Sequence, residues 1–141
     1  MPVVTPTTAL PTIAQRCLQA ALLYLLVGIS LGIFMGATQN FTLRPVHAHL
    51  NLLGWTTLAL SGLVYGVFPV LARSRLAALQ FWLHNLSLPV MMGALAALLL
   101  GHVEVAPALV ASEFGMAAAI VALTLNVFLN LRPSATVAQA A

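Results

Sequence analysis

The sequence predicts an all-α fold: a four-helix bundle integral to a membrane, with both termini in the cytoplasm. Three observations predict it. Of the 141 residues, 62% are hydrophobic and only 5% are charged, against roughly 25% charged in a soluble domain. So little polar surface cannot coat a water-soluble fold, and so much hydrophobicity excludes disorder. The apolar residues also gather into four runs, each near the ~20 residues that cross a bilayer as a helix. Finally, short breaks containing Pro, Gly, Asn or Arg separate the runs, and these are the residues that punctuate helices.

Residues 1–16 hold three prolines and read as an irregular tail. The domain proper is residues 17–131. Its first span is 17–37, too long and too poor in basic flanking residues for a cleaved signal peptide. The stretch TQNFTLRP, residues 38–45, is the first polar break, and Pro45 suits the opening turn of the next helix. The second span runs over residues 46–71 and the basic turn ARSRL over 72–76. The third span covers 77–100, followed by a loop, GHVEVAPAL, at 101–109. The fourth covers 110–131, and residues 132–141 form a C-terminal tail.

Five arginines face two glutamates, with no Lys and no Asp, for a net charge of +3. Scattered arginines make no basic stripe, so nucleic acid is not an expected partner; the bilayer is. With four spans, Arg16, Arg73, Arg75 and Arg132 share one side, while Arg44, Glu104 and Glu113 share the other. The positive-inside rule places the four-arginine side in the cytoplasm. Cys17 is the sole cysteine, so no disulfide forms within the chain; it reads as a small apolar residue.

Four histidines in so apolar a chain stand out, because ionisable groups are expensive in a membrane. His47 and His49 lie roughly 3–6 Å inside the outer start of span two at the helical rise per residue. His102 closes span three at the same level, and His84 sits about 10 Å in from the opposite end of that span. At about 100° per residue, His47 and His49 point to nearly opposite sides of their helix. The His47 side continues as Asn51, Gly54, Leu58, Ser61 and Tyr65, a small and polar stripe suited to helix contact. The His49 side continues as Leu52, Leu53, Thr56, Leu60 and Val67, suited to lipid or a second subunit.

Two imidazoles from different helices at one depth are the usual axial pair for a b-type heme. His47 with His102 is the simplest such pair within the chain. A histidine from a second protomer opposite His47 or His49 is the other arrangement. Gly54 and Gly36 could leave room for the ring, Trp55, Phe34 and Phe41 could line it, and Arg44 could pair with its propionates. His47, His49 and His102, with Glu104 or Glu113, could instead hold copper or zinc. Each histidine also has a plainer role, hydrogen bonding to backbone, headgroups or water. For His84 that role is bonding across helices or satisfying backbone freed by Pro89. Acid–base or nucleophilic catalysis is not expected, since no Ser or Cys has an evident base partner.

The stretch LRPVHAHLNLLGW, residues 43–55, resembles the start of the second helix in the catalytic subunit of the heme–copper oxidase superfamily. It is most similar there to the high-affinity oxidases and the bacterial nitric oxide reductases. Its H-x-H-L-x-x-x-G pattern also resembles NnrS-type membrane heme proteins. The resemblance implies that His47 is an axial ligand of a low-spin heme b, in a multi-pass protein of the bacterial cytoplasmic (inner) membrane. In that family the copper centre and high-spin heme depend on later helices, so the resemblance implies a heme-binding unit without them. The second axial ligand is then His102, His84 or a histidine of a partner chain.

The function expected is therefore a small, homo-oligomeric membrane heme b protein for electron transfer or for binding NO or O2. A cofactor-free accessory or assembly subunit of a respiratory complex is the second expectation. A membrane protein binding copper or another metal ion is the third.

Overall fold

The computed structural model of the chain describes residues 9–131, so the expected tails at 1–8 and 132–141, with Arg132, lie outside the described residues. Those described form four long helices and no strand. We number them α1 (Thr12–Thr38), α2 (Arg44–Val67), α3 (Arg75–Leu99) and α4 (Ala106–Asn130). All four are long and apolar enough to cross a membrane.

Their ends follow local chemistry. α1 starts directly after Pro11, ahead of the expected Cys17. The extra turn is held by tertiary contact, since Ala14 and Cys17 are buried in the same apolar cluster as Leu58. At its other end Gln39 takes a left-handed conformation, φ 53°, and its side chain donates to the Gly36 carbonyl at 2.6 Å. That satisfies one carbonyl that a helix end leaves without a partner. α2 opens with Pro45 in its first turn, as the sequence predicts. It closes at Val67, short of the expected Leu71, because Pro69 disfavours helical backbone at Phe68 (φ −119°, ψ 79°). A single helical turn, Pro69–Ala72, follows.

Ser74 caps α3 by accepting the Leu76 N–H at 2.9 Å. Gly101, with φ 101°, turns the chain out of α3. After one 3-10 turn, Val103–Val105, α4 begins at Ala106. The expected loop over 101–109 is therefore shorter. Pro107 sits in the first turn of α4, where a missing N–H does no harm.

Short connections make successive helices antiparallel neighbours. Along α1 and α2 the contacts run in opposite order. Gly62 abuts Ala14 and Leu18, Gly54 abuts Tyr24, and His47 abuts Gly32. On the other pair, Ser87 of α3 meets Gly115 of α4. One apolar cluster, with Cys17, Leu58, Tyr65 and Phe81, fills the Arg73 end of the bundle. A second, with Val46, Leu50, Leu88 and Met116, fills the Arg44 end.

The two faces of α2 divide mostly as its periodicity predicts, except that Leu53, expected on the outer stripe, is half-buried and packs against the cluster of Val46 and Leu88. Gly54, Leu58, Ser61 and Tyr65 are buried, while Leu52, Thr56, Leu60 and Val67 are exposed. The sequence does not reveal that the middle of this helix, Leu50–Thr57, is wound as a π-helix. Thr56 and Thr57 donate their hydroxyls to the carbonyls of Asn51 and Leu52, five residues back, at 3.0 and 2.8 Å. Such π segments often mark functional sites.

Candidate functional site

His47 stands on the second turn of α2 and lies against α1. Its Nδ1 is 2.8 Å from the Gly28 carbonyl oxygen. A Cβ at Gly32 would come 2.9 Å from its Cε1. The imidazole can rest on the α1 backbone because Gly32 carries no side chain there, and the missing side chain at Gly28 makes room for Asn51. A carbonyl can only accept, so Nδ1 donates the proton and Nε2 holds the lone pair. One turn on, the Asn51 amide donates to the His47 carbonyl at 2.8 Å. Its approach to Nδ1, at 3.5 Å, sets donor against donor and adds no bond.

His49 faces away, as the helical geometry predicts. It is exposed, and its Nδ1 donates to the carbonyl of Pro45 on its own helix at 2.7 Å. His84 is fully buried and donates Nε2–H to the Leu53 carbonyl, inside the π segment, at 3.0 Å. Of its two plainer roles, this is bonding across helices. His102 lies in the connection after α3. Its Nδ1 is 3.2 Å from Glu104 Oε1, and both side chains are well exposed.

The bundle therefore gives each histidine a separate oxygen partner. Among the described residues, no three of His, Cys, Asp and Glu gather within reach of one ion. The remaining expected residues divide as well. The Arg44 guanidinium stacks over the Phe41 ring at 5.4 Å, with no carboxylate partner among the described residues. Trp55 packs on the cluster at the Arg73 end. The space beside Gly54 is taken by Tyr24, whose Cβ a new Cβ would meet at 2.6 Å, whereas Gly36 opens on empty space. Gly54 thus serves close contact between α1 and α2.

Val46 and Leu50, flanking His47 on α2, line an apolar groove of about 610 Å³ together with Leu31, Phe34 and Met92. Its volume is in the range of small-molecule sites, but His47 is not among its lining residues. Two features escaped sequence reading. The Gly28–Gly32–Gly36 ladder is legible as small residues spaced by four. The pairing of Tyr65 with Gln80 at 3.2 Å has no sequence signal, since it joins two helices. Comparison with known protein families, characterised proteins and solved structures gives no match to this chain.

Proposed function

We propose that the chain is a multi-pass protein of a bacterial cytoplasmic membrane that binds heme b through His47. The observation that carries this is the bond from His47 Nδ1 to the Gly28 carbonyl. Ligating histidines are ordinarily fixed this way, with one ring nitrogen on a carbonyl and the other free for metal. The resemblance of residues 43–55 to the first heme-ligating helix of the oxidase family supports the same residue.

The chain's own groups have distinct parts in this reading. Gly28 and Gly32 seat the imidazole and fix its tautomer. Arg44, without a carboxylate partner among the described residues, is available to propionates at the membrane surface. A heme bound here supplies one-electron transfer or binding of a diatomic gas, depending on its sixth ligand. His84 keeps its other ring nitrogen fully buried, whereas His102 keeps Nε2 outside its contact with Glu104, so in this reading a second nitrogen would come from His102 or from a histidine of a second copy. A second protein nitrogen would favour electron transfer, and a site without one would favour binding of NO or O2. Arg16, Arg73 and Arg75 put the termini and the 72–76 turn in the cytoplasm.

The test is heme content after purification in mild detergent. His47→Ala is expected to abolish the Soret band, and His49→Ala to keep it in a monomeric site. Retention of full heme by a folded His47→Ala chain overturns the reading. A colourless wild-type protein that co-purifies with a larger complex turns it toward a cofactor-free accessory subunit.

A further inference from the structure

We propose that Gln80 and His84 hold one internal water molecule between α2 and α3. This water closes a hydrogen-bonded chain from the Tyr65 hydroxyl to the Leu53 carbonyl. The inference is independent of any heme.

Gln80 and His84 are four residues apart on α3, so they share a face, and both are fully buried. Each is anchored to α2 by one atom. The Tyr65 hydroxyl donates to Gln80 Oε1 at 3.2 Å, and His84 Nε2–H donates to the Leu53 carbonyl at 3.0 Å. Each also keeps one polar atom, Gln80 Nε2 and His84 Nδ1, buried with no partner among the described residues. Two such atoms on adjacent turns are too expensive in an apolar interior to be left alone.

Their chemistry is complementary. Leu53's carbonyl can only accept, so His84 carries its proton on Nε2 and presents a lone pair at Nδ1. Gln80 receives the Tyr65 proton on Oε1, so its amide nitrogen is a donor. A single water accepts from Gln80 Nε2 and donates to His84 Nδ1. Buried waters ordinarily make about three hydrogen bonds. Ser61 is buried on α2 between Leu53 and Tyr65. Its hydroxyl donates to the Thr57 carbonyl at 2.8 Å, so Ser61 is already satisfied and leaves Gln80 Nε2 and His84 Nδ1 as the two atoms in need of a partner.

All donors in this chain then point one way: Tyr65 to Gln80, to water, to His84, to Leu53. It ends in the π segment. There the Leu58 N–H turns to the Trp55 carbonyl, and His84 supplies a donor to Leu53. The water thus links the lower half of α2 to its π turn through α3.

The test is magic-angle-spinning NMR of the isotope-labelled, full-length protein in lipid bilayers, with magnetisation transferred from water. The expected result is transfer to the Gln80 side-chain amide and the His84 ring, with none to the neighbouring Ala77 and Leu88. Gln80→Leu is expected to abolish transfer at His84 while its Nε2–H stays hydrogen-bonded. Absence of water transfer at both groups overturns the proposal. So does a nitrogen–nitrogen scalar coupling between Gln80 and His84, which marks a direct bond. The wild-type spectrum decides even if the variant does not fold.

Discussion

His47 and Gly32 act as one unit, because the ring occupies the volume that any side chain at position 32 would need. Gly32→Ala brings a methyl to 2.9 Å from His47 Cε1, and the ring must shift from its seat beside the Gly28 carbonyl. Heme retention, measured as absorbance per chain, should fall sharply in Gly32→Ala. It should be unchanged in Gly36→Ala, where nothing lies within 4 Å. Gly54→Ala should act on stability instead, since it collides with the Tyr24 side chain. Such overpacking costs about 1–3 kcal/mol, read as a lower unfolding temperature in detergent. At this scale the sequence was informative about direction and silent about partners. The opposite facing of His47 and His49 follows from helical geometry alone. The Gly28 carbonyl and the Leu53 carbonyl belong to other helices, and no spacing encodes them.

Among the elements, α2 departs most from expectation, and it does so through its prolines and threonines. Pro45 was legible as a helix start and Pro69 was not legible as a helix end, because the run of apolar residues continues past it. Pro107 misled in the opposite sense, since a proline in a first turn resembles a proline in a loop. The π segment was hidden because threonines bonding five residues back look like any other threonines in the sequence. Thr57→Val removes the hydroxyl that holds the Leu52 carbonyl at 2.8 Å. A lost hydrogen bond of this kind is worth about 1 kcal/mol. Faster hydrogen exchange confined to the Leu50–Thr57 amides is the expected outcome, and an unchanged exchange pattern would show that the hydroxyl does not support the π turn.

For the whole molecule, orientation can be read with single cysteines. The native Cys17 is fully buried and should be silent to a membrane-impermeant thiol reagent. In intact cells Asn40→Cys should label and Ser74→Cys should not; the reverse pattern would invert the topology argued from the arginines. The four-helix count was legible because four apolar runs of spanning length leave few alternatives. The pairing of α1 with α2 and α3 with α4 follows from their short connections. The way a second copy would cover the heme is not encoded in any one chain's periodicity. Heme ligation by His47 is open to direct spectroscopy. The most direct measurement is the pair of oxidised and dithionite-reduced absorption spectra of the wild-type protein, purified after expression with ample heme. A Soret band is expected, with sharp reduced α and β bands if a second histidine supplies the sixth ligand. A featureless visible spectrum from a folded, heme-supplied preparation would contradict it.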